Sequence, residues 1–156
     1  MINIKLLKFQ NMSFTDIIDD HGNKIHKEHY VNLVQIALAD GKIEPSENEL
    51  LHREGKRFGL TDPEINHIIK TEAKHQYNPP YSLLEKFDEL YNIARMILAD
   101  NVITEAEKIL IKKFAVAAGF NDKSIDKLIP LLFEGIQKGE DEDDLFREFK
   151  RQHFFD

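Results

Sequence analysis

One pattern occurs twice in this chain, and it constrains the fold more than any other feature. Leu38-Ala39-Asp40-Gly41-Lys42-Ile43, followed by Glu47, returns sixty positions later as Leu98-Ala99-Asp100-Asn101-Val102-Ile103, followed by Glu107. The same offset pairs Asn32 with Asn92, Leu50 with Leu110, Gly59 with Gly119, Asp62 with Asp122 and Ile65 with Ile125, and no gap is needed. Self-similarity at such a spacing marks a duplicated supersecondary unit, here helix–turn–helix. Gly41 and Asn101 both tolerate the left-handed backbone on which helices stop. Each copy is therefore predicted to end one helix there and to begin another a few residues later.

Apolar spacing fills in the helices. Tyr30, Leu33, Val34, Ala37 and Leu38 recur at helical intervals and predict a first helix from about Lys24 to Ala39. A second begins at Pro45 and stops at Gly59; a third opens on the capping box Thr61-Asp-Pro-Glu64 and fades near His75. Asn78-Pro79-Pro80 is the best boundary between the two halves. Ser82 and Glu85 form another box, opening a long helix to Ala99. Thr104 and Glu107 cap the next, whose Ile109, Leu110, Ile111, Phe114, Ala115, Val116 and Ala117 are apolar nearly all round. Such a helix is expected to be buried on several sides. Asp122 to Lys138 is expected to be kinked or split by Pro130, and a last helix follows Gly139, from Asp141 to Gln152.

Residues 1–23 are the least regular and read as an N-terminal extension, in which Ser13 caps a short helix and Asp16 lies three residues on. Met12 is an alternative translation start to Met1. No stretch alternates with period two for long enough to form a strand. The expected fold is all-α: a single compact domain of about seven helices built on the duplication. Its first repeat spans about 24–76, its second about 82–138, and its C-terminal helix about 141–152.

Composition narrows the function. Hydrophobic content of 42% and charged content of 31% describe an ordinary globular chain. A net charge of -7 leaves no basic footprint for nucleic acid. The absence of cysteine excludes disulfides and thiol catalysis. No apolar run reaches the ~20 residues of a membrane span, and the N-terminus lacks the apolar core of a signal peptide, so a cytoplasmic location is expected. There is no Gly-rich phosphate loop and no nucleophile elbow, and no catalytic constellation is identified. His26 and His29 stand at i and i+3, a spacing foreign to zinc motifs, and read as surface histidines. The acidic run Glu140–Asp144 suits a helix start. The phenylalanines after it (146, 149, 154 and 155) either dock on the body or stay exposed for a partner.

The repeated turns carry the candidate site: Asp40, Glu47, Asp100 and Glu107. Oxygen ligands of this kind bind hard divalent cations such as Mg²⁺ or Ca²⁺, and a pseudo-twofold arrangement of the copies would let the four converge. The turns are not EF-hand loops, because the first and third ligand positions would fall on Ile36 and Leu38, and on Met96 and Leu98. Glu47 and Glu107 have an equally good structural role as first-turn caps. Asp40 and Asp100 oppose the dipole of the helix they end, so they need another reason: a ligand, or N–H groups within the turn.

The two Leu-Ala-Asp-(Gly/Asn)-x-Ile-x-x-x-Glu turns, each leading through a helix to Gly59-Leu60 or Gly119-Phe120, resemble those of the TerB-like (tellurite-resistance) helical domain. The resemblance covers about residues 24–138, with Asn101 departing from the usual glycine. It implies an all-helical, internally pseudo-symmetric fold with an acidic surface for a divalent metal, at Asp40, Glu47, Asp100 and Glu107. It also implies roles in stress response and membrane-associated complexes. The expected function is a non-enzymatic interaction or sensing module with a protein partner, a homodimer being compatible with the sequence. The alternatives are a metal-dependent enzyme acting on a phosphorylated substrate, and a purely structural repeat.

Overall fold

The computed structural model describes residues 12–19, 22–99 and 102–155, with side chains as far as Gln152. The chain divides into two units, 1–77 and 78–156, the division falling at the Asn78-Pro79-Pro80 break. Among the described residues there are seven helices and one two-stranded ribbon. The all-α expectation therefore holds, with that small exception.

The first unit opens with the ribbon. β1 (Ile17–Ile18) pairs antiparallel with β2 (Lys24–Ile25), Ile17 facing Ile25. Three helices follow: α1 (Glu28–Ala37), α2 (Pro45–Arg57) and α3 (Asp62–Glu72), each in contact with the other two. Two expectations are corrected. The first helix starts at Glu28, because Lys24 and Ile25 are taken into the ribbon. No helix forms at Met12–Asp16, and Ser13 caps nothing of its own. Instead the segment lies along the ends of α2 and α3. Ser13 N donates to the Glu64 carboxylate at 2.9 Å, the Ser13 hydroxyl, with its one hydrogen, stands between Glu64 Oε1 at 2.6 Å and Gly59 O, and Thr15 N donates to Phe58 O at 2.8 Å.

That course drives Phe14 inward. Its ring, 4% exposed, meets Tyr30 and Phe58 edge-on, both at 6.0 Å between centroids. Part of the expected extension thus belongs to the core. Tyr30 O–H donates to Leu51 O at 2.6 Å, and burial, with Glu54 nearby, pushes its ionisation far above the ordinary phenol range. Gly55, inside α2, makes room for this: a Cβ there would stand 2.8 Å from Tyr30 Oη and from Ile65. Buried Glu54 is held by Arg57 at 2.9 Å, and buried Gln35 donates to buried Glu72 at 3.2 Å, joining α1 to α3.

The second unit is built on α4 (Leu83–Leu98), which packs against α5 (Glu105–Ala118), α6 (Asp122–Gln137) and α7 (Glu142–Phe155). Ser82 Oγ accepts from Glu85 N at 3.1 Å and starts α4. Phe87 anchors the core, stacking on Phe149 at 5.8 Å and meeting Phe146 at 5.0 Å. Both phenylalanines are therefore docked; the side chains of Phe154 and Phe155 lie outside the described residues. Pro130 neither splits α6 nor ends it. It stands on the exposed side of the helix, and Asp126, whose carbonyl it deprives of an N–H, is an exposed residue too. Gly135, on the buried side, lets α7 approach: a Cβ there would stand 2.2 Å from Leu145 Cδ2.

The largest correction concerns α5. It is not buried on several sides. Leu110, Ile111, Phe114, Ala115 and Ala118 form one buried face, while Ile109 is 65% and Val116 52% exposed.

Candidate functional site

The repeated turns come first. Asp40 is exposed in the turn after α1, beside Gly41 at φ 87°. Glu47, half-buried, accepts from Glu44 N at 3.3 Å through Oε1, which satisfies a donor at the start of α2. Glu107 is fully buried, and its Oε1 accepts from Thr104 N at 2.9 Å and Thr104 Oγ1 at 3.1 Å. Thr104 Oγ1 in turn accepts from Glu107 N at 3.2 Å, closing a reciprocal capping box. Asp100 and Asn101 lie outside the described residues. Asp40 and Glu47 belong to the first unit and Glu107 to the second. Among the described residues no group of three or more histidines or carboxylates is disposed to hold a metal ion.

A third box, Thr61 with Glu64, does more than cap. Glu64 accepts from Thr61 N at 2.9 Å while taking both bonds from Ser13. The Ser13 hydroxyl, then the Thr61 and Ser13 N–H groups, hold this carboxyl down at about 2. A cap is thereby also the clamp for the N-terminal segment. The signal was present in the sequence only as the Thr61–Glu64 half.

His26 and His29 lie in different surroundings. His29 is buried, whereas His26 is exposed, with Nδ1 3.6 Å from Asp16. His52 bridges α2 and α3: Nδ1 meets Asp62 at 2.7 Å and Nε2 meets Asn66 Oδ1 at 3.0 Å. His52, and Lys56 at 3.2 Å, hold the Asp62 carboxyl below its ordinary range. With both ring nitrogens bonded to side chains, His52 has none left for a substrate, so its role is to staple two helices.

A polar network missed by the sequence reading runs along α4 to the start of α7. Buried Arg95 donates to Asn92 Oδ1 at 2.7 Å, and Asn92 Nδ2 donates to the Asp88 carbonyl at 2.8 Å and to Asp88 Oδ1 at 3.3 Å. The Asp88 carboxyl is hydrogen-bonded to Glu142. Burial first, then the bond to Asp88 and the charges of Asp88 and Asp143, push Glu142 up to about 8, with Arg95 opposing. Glu142 therefore keeps its proton near neutral pH. Nothing in the run Glu140–Asp144 distinguishes the acid that turns toward α4 from the others.

Two surfaces of the second unit bear on docking. Between α6 and α7 lies a groove of about 410 Å³, beneath which buried Leu145 closes over buried Gly135, rimmed by Glu134, Glu140, Asp144 and Glu148. Asp144 pairs with Arg147 at 3.1 Å and Glu148 with Arg151. One lysine, Lys138, also lines it. On α5, Ile109 and Val116 stand two turns apart on the exposed face, with exposed Lys112 between them and Lys108 alongside. Val102, ahead of the extended Thr104 cap and so outside the helix, is 58% exposed.

No protein-family model matches the chain, and neither does any curated protein or solved structure.

Proposed function

We propose that this chain is a non-enzymatic helical interaction module that docks a protein partner on the exposed face of α5. One observation carries the reading. Ile109 and Val116, 65% and 52% exposed, stand in line on a single helix face. Single exposed apolar residues are ordinary, but a stripe at heptad spacing matches the seam by which helices recognise helices. The way the chain spends its acids is consistent with a scaffold: Glu47, Glu64 and Glu107 each accept backbone N–H at a helix start. The resemblance to the TerB-like domain in the repeated turns supports the same class of function, and with it a cytoplasmic role in stress response. No described helix is long and apolar enough to cross a membrane.

The test is site-specific photo-crosslinking in the native cell. A photoreactive residue at Ile109 is expected to yield a discrete adduct that vanishes when Val116→Asp is added, while one at exposed Gln137 yields none. Equal labelling from both positions would overturn the reading.

A second reading, divalent-cation sensing at Asp40, Glu47, Asp100 and Glu107, is favoured by the exposed position of Asp40 at a helix end that its charge opposes. Thermal melts in EDTA and in Mg²⁺, Ca²⁺, Mn²⁺ and Zn²⁺ separate the two. A cation at a hundred times its Kd adds about 2.7 kcal/mol to the folded state. If sensing holds, the gain is absent from Asp40→Ala/Asp100→Ala; if no cation raises the wild-type melt, these acids are turn and cap residues.

A further inference from the structure

We infer that residues 78–85, which open the second unit, are a docking motif for a partner protein whose aromatic-lined groove reads a polyproline helix. The inference is independent of the α5 face. None of these residues is buried, and three of them carry large apolar side chains into solvent: Tyr81 is 102%, Leu84 50% and Leu83 36% exposed. Among the described residues they are three of the seven large hydrophobic side chains so exposed, and they fall within four positions. Scattered apolar residues on a surface are ordinary, whereas a contiguous group marks a contact. Tyr81 makes no hydrogen bond and meets no other ring among the described residues.

The backbone already has the shape that such grooves take. Proline holds φ at about −65° and pushes the residue before it to extended ψ, so Asn78 and Pro79 are both kept extended by the prolines that follow them. Ser82, at φ −81° and ψ 148°, lies close to the polyproline helix at about −75° and +145°. Among the described residues the carbonyls of Asn78, Pro79, Pro80 and Tyr81 accept no hydrogen bond, as in a solvated polyproline helix. A row of aromatic rings receives proline rings between them, and its N–H and O–H groups can donate to these carbonyls. Little entropy is lost, because the prolines fix the chain before it binds. Glu85 sets the charge at the edge. Glu47, Glu64 and Glu107 turn back onto the N–H of their cap residues, but Glu85 does not, and it pairs with no cation among the described residues. The groove therefore carries a lysine or arginine where α4 begins, beside an apolar shelf for Leu83 and Leu84.

Photo-crosslinking with the full chain in a lysate of its own cells tests this, with a photoreactive residue at Leu84 and decaproline as the competing probe. A discrete adduct is expected. Excess decaproline should erase it, and a glycine–serine peptide of equal length should not. At sub-saturating chain the yield should fall at least ~10-fold in Tyr81→Ala, since aromatic anchors carry much of the energy of such contacts. It should fall likewise in Pro79→Gly/Pro80→Gly, which keeps every apolar side chain after the prolines but frees the backbone. The substituted side chains lie at the surface, and circular dichroism checks that helix content is kept. Ile109→Asp should leave the adduct unchanged. No adduct, an adduct indifferent to decaproline, or one that survives Pro79→Gly/Pro80→Gly overturns the inference and leaves the crosslinking test of α5 untouched. Loss of the adduct in Ile109→Asp also overturns it, because the contact then belongs to the α5 face.

Discussion

Phe14→Ala tests whether the N-terminal segment belongs to the core of the first unit. The ring is 4% exposed and lies edge-on to Tyr30 and Phe58, which are themselves fully buried. Truncating a buried phenylalanine costs about 3–5 kcal/mol, part from lost transfer and part from the cavity left behind. Residues 12–16 form no helix or strand and can relax into part of that space, so the lower end, about 3 kcal/mol, is expected. Against a typical domain stability of ~5–15 kcal/mol this is a large fraction. For a chain of this size it lowers Tm by about 6–12 °C, and with m near ~2 kcal/mol/M it moves the urea midpoint down by about 1.5 M. Phe14→Leu keeps most of the buried area and should lose only ~1 kcal/mol. The assay is urea unfolding followed by far-UV circular dichroism, with m compared between variants. A loss below ~1 kcal/mol for Phe14→Ala, at unchanged m, would mean the ring is not part of the packed core, and the placement of residues 12–16 would fall with it.

Two further outcomes follow from the packing and from the carboxyl pair. Gly55→Ala should destabilise by about 1–2 kcal/mol in the same urea assay, although alanine is favoured over glycine in a helix interior by ~1 kcal/mol, because the new methyl would press on Tyr30 Oη and Ile65 at 2.8 Å. Glu142, raised from 4.5 to about 8, binds more protons folded than unfolded between those values, so its contribution is full below pH 4.5 and is lost as pH rises toward 8. Thermal melts from pH 5 to 9 should show Glu142→Gln removing a downward slope and closing the gap to, or exceeding, wild type at the alkaline end; parallel profiles would show that the folded chain does not raise Glu142.

What could be read from the sequence followed the range of the interactions. The boxes at Thr61–Glu64 and Thr104–Glu107 and the cap at Ser82 were legible because donor and acceptor lie three residues apart, so the sequence holds both partners in one short window. Phe14 was not, because its partners are set by a segment that pairs with residues 58–64, and no local pattern in Met12–Asp16 encodes that. On α5, apolar residues at nearly every position erased the periodicity that tells a buried side from an exposed one. Only the packing of α4 and α6 on one side assigned Ile109 and Val116 to the outside. That Pro130 leaves α6 unbroken is hidden in the sequence for a related reason: the cost of proline in a helix depends on whether the carbonyl it strands meets water, and exposure is a tertiary property. In the acidic turns, matching residues stand at matching places along the chain. Capping accounts for Glu47 and Glu107, and Asp40 remains the residue whose position capping does not explain.

The clamp of Ser13 and Thr15 onto residues 58–64 also has a consequence for synthesis on the ribosome. Thr15 bonds a carbonyl 43 residues downstream, and Ser13 a carboxylate 51 residues downstream. At roughly 5–20 residues per second, the Phe58 wall is made about 2–9 s after Phe14. During that interval an aromatic side chain destined for the interior travels with the nascent chain without its seat, within reach of chaperones or of neighbouring chains. The first helices of the unit can form as they emerge, but the segment translated before them is among the last pieces to find its place.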